Sequence, residues 1–273
     1  YNKDGSIMAT GSLDKLVKLW DVKSAKELRT LSGNDGRIES VEFSPSGKLI
    51  SAVLNSNQIK IWEVSTGKLI VKIENTSTYD DLDFVKDDER IIYISNDSKI
   101  VIYNIPQQKI ETELPQDFVT KIKLVDDGNK FAAYTVKGEF KVFSIPDGKE
   151  LLSSHVYKGE EIPQASIPMY LSPDGKTIAL TLFNNKVHFL DVTTGKEITV
   201  MKDHAEKNNL IKAACFKGNY FLSADAIRNV ILFNMTTKKI EKKYELTEFY
   251  PSCLSPHPQQ DLFVLGDFKK ILV

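Results

Sequence analysis

The chain is poor in the residues that usually carry chemistry. Its 273 residues include two cysteines, Cys215 and Cys253, too few for a disulfide framework. Each lies in an apolar stretch where a small buried side chain explains it, as in a reducing compartment. The four histidines, His155, His188, His204 and His257, show no His-x-x-x-His spacing, and the cysteines no Cys-x-x-Cys spacing, so no metal site is expected. No apolar run approaches the roughly 18 to 20 residues that span a bilayer, and no basic-then-apolar leader is present. The expectation is a soluble intracellular, cytoplasmic protein without membrane insertion. Net charge is nearly absent as well: 36 basic and 37 acidic side chains leave a formal −1. No global field therefore draws the chain to nucleic acid or to an anionic membrane, and direct nucleic-acid contact is not expected.

Enzyme motifs are missing too. Gly175-Lys176-Thr177 invites a phosphate-loop reading, but Tyr170 stands where the loop needs its first glycine, and the segment sits in a hairpin rather than before a helix. There is no Gly-x-Ser-x-Gly elbow. The acidic runs around Asp80–Asp83 and Asp87–Glu89 read as solvated loop charges, with an acidic rim facing a basic partner as the alternative. No catalytic residue or cofactor is expected.

What the chain does contain is a repeat. A hydrophobic-x-hydrophobic-aromatic strand followed by an acidic or small polar residue recurs as Val17-Lys18-Leu19-Trp20-Asp21, Ile59-Lys60-Ile61-Trp62-Glu63, Ile100-Val101-Ile102-Tyr103-Asn104, Phe140-Lys141-Val142-Phe143-Ser144, Val187-His188-Phe189-Leu190-Asp191 and Val230-Ile231-Leu232-Phe233-Asn234. A truncated copy, Ile271-Leu272-Val273, ends the sequence. From Trp20 to Phe233 the steps between the fourth residues are 42, 41, 40, 47 and 43. A period of roughly 40 to 45 residues with several short strands per unit predicts a β-propeller.

The unit from Arg37 to Ile73 shows the pattern: strands at Ile38–Phe43, Leu49–Leu54, Gln58–Val64 and Leu69–Ile73, separated by Ser44-Pro45-Ser46-Gly47, Asn55-Ser56-Asn57 and Ser65-Thr66-Gly67-Lys68. Proline fixes φ at a turn corner and glycine supplies positive φ, with β-branched and aromatic residues between. The fold class is all-β: four-stranded antiparallel blades, seven of them, the first and last incomplete, forming one domain over residues 1–273. Tyr1-Asn2-Lys3-Asp4-Gly5 matches a turn inside a later unit, so the chain is expected to be a piece of a longer polypeptide.

Ala9-Thr10-Gly11-Ser12-Leu13-Asp14, leading into Leu16-Val17-Lys18-Leu19-Trp20-Asp21, resembles the WD-repeat family. The resemblance implies a hydrogen-bonded network of Thr10, Asp14 and Trp20 with a histidine that would precede residue 1. Later units depart from the pattern: Asp97 keeps the hairpin carboxylate, whereas Ser56, Lys137 and Asn184 replace it, and Asp203-His204 is the nearest echo of the family's Gly-His. The stretch from Ser172 to Lys196 also resembles the Tyr-Val-Thr-Asn type of propeller repeat, whose members would be ligand binders or enzymes.

The resemblance implies a non-catalytic scaffold in a multiprotein complex, its partners other proteins docked on one propeller face. A structural brick of a large ciliary, ribosome-biogenesis or transport particle is the alternative. By position, the candidate contacts are Arg37, Tyr79, Phe118, Leu210 and Tyr250 entering first strands, and Leu13 beside the hairpin aspartate. The longest repeat adds a loop around Ser153–Ser166 with His155 and Tyr157, and insertions in repeat proteins usually map to one face.

Overall fold

The computed structural model describes residues 1–77, 82–115, 119–125, 128–156, 168–182, 186–204, 211–247, 251, 253–256, 263–266 and 271–272. Every helix or strand element among them is a β-strand, and the strands form seven antiparallel sheets. The first contains β1 (Ile7–Gly11), β2 (Val17–Asp21) and β3 (Lys26–Leu31). The second contains β4 (Ile38–Phe43), β5 (Leu49–Leu54), β6 (Gln58–Glu63) and β7 (Leu69–Glu74), and the third β8 (Leu82–Phe84), β9 (Arg90–Ile94), β10 (Ile100–Asn104) and β11 (Lys109–Leu114). The fourth follows with β12 (Val119–Val125), β13 (Lys130–Thr135), β14 (Glu139–Ser144) and β15 (Glu150–His155). The fifth has β16 (Met169–Leu171), β17 (Thr177–Thr181), β18 (Val187–Asp191) and β19 (Glu197–Met201), and the sixth β20 (Ile211–Lys217), β21 (Tyr220–Asp225), β22 (Asn229–Asn234) and β23 (Lys239–Glu245). β24 (Cys253–Pro256), β25 (Phe263–Gly266) and β26 (Ile271–Leu272) form the seventh. Sheets pair in sequence order, and each repeated motif falls on β2, β6, β10, β14, β18, β22 or β26.

The chain divides into two compact units. One spans Tyr1–Lys137 with Lys141–Leu151, the other Gly138–Phe140 with Leu152–Val273. In the first unit, apolar clusters alternate with sheets. Val17 and Leu19 pack with Ile50, Leu54 and Trp62, whereas Ile59 and Ile61, on the opposite face of β6, pack with Phe84, Ile91 and Tyr103. A sheet buried on both faces needs apolar residues at both parities, which explains why β9 and β10 read as nearly continuous Ile, Val and Tyr. The second unit is more aromatic: the Phe189 ring lies 5.1 Å from Phe221 edge-on and 5.3 Å from Phe233 in a stack. Edge and offset-stacked rings add roughly 0.5–1.5 kcal/mol beyond their burial.

The structure explains the two ends of the repeated motif. Pairing with the following strand slips between Leu19 and Trp20, Ile61 and Trp62, Ile102 and Tyr103, Phe189 and Leu190, and Leu232 and Phe233. The outer strand carries one extra residue at each site, a β-bulge that sharpens the local twist. The polar fifth residue then caps the turn. Asp191 Oδ1 accepts the Thr194 N–H at 2.7 Å, Asp21 Oδ1 the Ser24 N–H at 2.7 Å, and Asn104 Oδ1 the Gln107 N–H at 2.8 Å. These are side-chain turns that Asp and Asn make at little cost.

The same turns contact the preceding sheet in two ways. Gly67, Gly148 and Gly195 have φ of +74°, +66° and +64°, and a Cβ on Gly195 would lie 2.9 Å from Leu152 Cδ2. Where glycine is replaced, a longer side chain reaches across instead: Gln108 Nε2 donates to Ile70 O and Lys238 Nζ to Ile198 O, both at 3.3 Å. Cys253 departs from its expected burial. It is exposed, because the alternation of β24 turns its side chain outward.

Candidate interaction site

In the first sheet, Trp20 Nε1–H donates to Thr10 Oγ1 at 2.9 Å. Asp14 is not joined to this pair; its Oδ1 accepts the Leu16 N–H at 3.0 Å within its own hairpin. Leu13, at the tip of that hairpin, is 76% exposed. Asp97 closes a local turn in the third sheet, accepting the Ser95 hydroxyl at 2.5 Å and facing Lys99 Nζ at 3.0 Å. The Ser95 hydrogen bond, followed by that of Lys99, holds its carboxyl below the ordinary carboxylate value.

Among the described residues the most complete polar network lies in the sixth sheet, and its histidine is His204, the nearest echo of the family's Gly-His. His204 places Nδ1 3.0 Å from Asp225 Oδ2 and Nε2 2.7 Å from Ser223 Oγ, with the His204 and Asp225 side chains fully buried. Asp225 also accepts the N–H groups of Ile227 at 3.0 Å and Asn229 at 2.9 Å, and the Asn229 amide at 3.0 Å. Burial pushes the Asp225 carboxyl up, but hydrogen bonds from His204 and Asn229 outweigh it and hold the group below its ordinary value. Ser223 precedes Phe233 by ten residues, as Thr10 precedes Trp20. Asp225 stands eight before it, where the first sheet has Ser12, so a search at the usual hairpin position meets Ile227 instead.

A second charged cluster occupies one repeat position on consecutive first strands. Glu42 on β4, Asp83 on β8 and Lys123 on β12 each precede a large apolar residue, Phe43, Phe84 and Leu124. Asp83, 6% exposed, accepts Lys123 Nζ at 2.6 Å and the Leu124 N–H at 2.8 Å. Burial, and then the Asp83 charge, push the half-buried Glu42 up to about 8, against the opposing pull of Lys123 and Lys121. In the second unit the same position holds Tyr170 on β16 and Cys215 on β20. Burial raises both, each to about 12, which leaves Cys215 an unreactive thiol.

The remaining candidates are scattered. Arg37 is exposed and donates from Nε to Glu39 Oε1 at 2.6 Å. His155 is exposed at the end of β15. His188 is buried, with Nδ1 2.6 Å from Glu197 Oε2. Tyr79, Phe118, Tyr157, Leu210 and Tyr250 lie outside the described residues. Among the described residues no group of three or more His, Cys, Asp or Glu side chains could hold a metal ion, and no helix is long and apolar enough to cross a membrane.

This architecture, seven small antiparallel sheets with bulged motif strands and hairpin polar networks, is that of a WD-repeat β-propeller. A solved structure, the beta-propeller domain of Myceliophteria thermophila Cps50 (Swd1), superposes with a TM-score of 0.82 over 98% of this chain and 92% of that one at 14% identity. The WD domain, G-beta repeat model matches residues 1–21, and the NWD2 C-terminal beta-propeller model matches residues 28–170. The chain belongs to the NWD2 C-terminal beta-propeller family, with divergent WD repeats. Among curated proteins it is similar to eukaryotic translation initiation factor 3 subunit I of Sclerotinia sclerotiorum, 23% identical over 271 residues, covering 97% of this chain and 70% of that protein. It is also similar to WD repeat-containing protein SL1-17 of Schistosoma mansoni, 25% identical over 206 residues, 71% of this chain and 64% of that one. Protein tipD of Dictyostelium discoideum is 40% identical over 68 residues, 25% of this chain and 11% of that protein.

Proposed function

We propose that this protein is a non-catalytic interaction scaffold, one cytoplasmic propeller domain that holds protein partners within a larger complex. The observation that carries the reading is the state of the Ser223–His204–Asp225 constellation. On geometry alone it resembles a hydrolytic triad, yet the His204 and Asp225 side chains are sealed from solvent, and Asp225 is saturated by the backbone of its own hairpin. It serves loop geometry rather than substrate. Exposed side chains instead stand on the loops entering first strands and on the hairpins, Leu13 and Arg37 among them. Similarity along 97% of the chain to a protein named as a subunit of a translation initiation factor supports membership of a complex.

Purification from the native source under mild conditions, followed by mass spectrometry of what co-elutes, tests the proposal. A stable set of protein partners, lost on Leu13→Asp, is the expected result. A partner-free protein that retains a small molecule or turns over a substrate would overturn it.

A further inference from the structure

One turn position in the repeat carries a carboxylate. Asp4, Asp87 and Asp174 each stand three residues before β1, β9 and β17. Each accepts the N–H two residues on, from Ser6 at 2.9 Å, Glu89 at 2.8 Å and Lys176 at 3.1 Å, a turn that aspartate makes readily. The fifth sheet adds two bonds: Asp174 accepts the Ser172 hydroxyl at 2.6 Å, and Ser172 Oγ accepts the Thr177 N–H at 2.9 Å.

The second sheet has Ser46 at this position, three residues before β5. The backbone bonds of the fifth sheet recur around it, with the Lys48 N–H donating to Ser46 Oγ at 3.2 Å and the Leu49 N–H to Ser44 Oγ at 3.1 Å. The missing carboxylate comes from the third sheet. Asp88 accepts the Ser44 hydroxyl at 2.9 Å, the Ser46 N–H at 3.1 Å and the Ser46 hydroxyl.

Backbone conformation explains how Asp88 reaches. It has φ of +59° at the turn position where Gly47 and Gly128 have +77° and +86°. A Cβ there points at the preceding turn: on Gly47 it would lie 3.4 Å from Asn2 Cβ, and on Gly128 3.1 Å from Lys86 Cβ. A left-handed aspartate is less favourable than glycine, and its bonds to the two serines offset that cost. The result is a clasp between the second and third sheets that depends on a neutral, exposed residue 46.

Charge at residue 46 decides between two arrangements. A neutral serine donates to Asp88. An anion there supplies its own acceptor, as Asp174 does, and repels Asp88, which already stands between Asp87 and Glu89. A phosphoserine carries roughly −1.5 to −2 charge at neutral pH.

We propose that Ser46 is a phosphorylation site, and that its phosphate takes the carboxylate place of the turn, releases Asp88 and unclasps the second sheet from the third. The co-reactants are a protein serine kinase and a magnesium nucleoside triphosphate. Ser46 Oγ bonds to the γ-phosphorus, the bond to the β,γ-bridging oxygen breaks, the diphosphate leaves, and the hydroxyl proton passes to the kinase's base. The phosphate then accepts the Lys48 N–H and the Ser44 hydroxyl, the counterparts of the donors that Asp174 holds. This regulation goes beyond the scaffold reading and does not rest on it.

Two measurements test it. Tryptic mass spectrometry of protein from the native source, purified with phosphatase inhibitors, is expected to find phosphate on Ser46; its absence would overturn the site. The switch is read by thermal unfolding of the wild type, Asp88→Asn, Ser46→Asp and the double variant, since asparagine tolerates the left-handed backbone and removes the charge. Asp88→Asn should lower Tm by about 2–4 °C in the wild type and raise it in the Ser46→Asp background. A fall in both backgrounds, or no change in either, would overturn the switch even with Ser46 phosphorylated. Failure of Ser46→Asp to fold would overturn it as well, because three other sheets hold aspartate at that position.

Discussion

The two compact units place their polar groups differently. In the first, charge sits on the first strands as Glu42, Asp83 and Lys123, and the hairpins are lightly tied, with Thr10 bonded to Trp20 while Asp14 serves only its own turn. In the second, the equivalent first-strand positions hold neutral Tyr170 and Cys215, and polarity is concentrated in one sealed knot, His204–Ser223–Asp225. Both units build the same four-stranded sheets with the same bulge before the fourth motif residue. The blade is therefore specified by apolar packing and turn chemistry, and its polar network is free to move, shrink or be buried. Where the network is lightly tied, as in the first sheet, the hairpin of Leu13 is exposed.

The sharpest way to break this comparison is to remove the knot. Asp225→Ala removes the acceptor of the buried His204, of the half-buried Asn229 amide and of two backbone N–H groups, and should cost about 3–5 kcal/mol of unfolding free energy by urea titration at neutral pH. Because the folded-state carboxyl lies below its ordinary value of 3.8, its contribution is present above that value and is lost as pH falls through the folded-state titration. The gap between wild type and variant should narrow in acid. An undiminished gap would show that the charge of Asp225 is unimportant.

Glu42→Gln probes the other unit. A carboxyl raised from 4.5 to about 8 holds its proton more tightly when folded, so the stabilisation it gives is full below 4.5 and is lost as pH rises towards 8. Wild type should lose stability between pH 5 and pH 9 relative to the glutamine variant, by on the order of 1–3 kcal/mol. Parallel profiles would remove Glu42 as the source.

Smaller effects sharpen the contrast. Thr10→Val removes one hydrogen bond to Trp20 and should cost about 1 kcal/mol. Asp14→Ala, at an exposed position outside that bond, should stay within about 0.5 kcal/mol in the same titration. A larger loss for Asp14 than for Thr10 would place Asp14 in a network that the geometry does not contain.

Much of the fold is legible in the residues. Strands such as Ile38–Phe43 and Leu49–Leu54 fall where alternation and Pro-Gly turns place them, because local turn chemistry and period-two patterning act within a few residues. The knot in the sixth sheet was hidden for a definable reason: its carboxylate stands two residues earlier than the first repeat suggests, and its histidine follows Asp203 rather than glycine. The Glu42–Asp83–Lys123 cluster was obscured by its dispersal over three repeats, and it emerges only when the position before Phe43, Phe84 and Leu124 is aligned.

Amide hydrogen exchange, followed by mass spectrometry on the protein alone and with its co-purified partners, tests the contrast most directly. The account predicts that the hairpin at Asp225–Asn229, with two N–H groups donated to a buried carboxylate, exchanges slowly in both states. The hairpin at Ser12–Leu16 and the loop at Gly33–Arg37 should exchange fast alone and become protected when partners bind. Partner-dependent protection at Asp225–Asn229 with none at Ser12–Leu16 would contradict it.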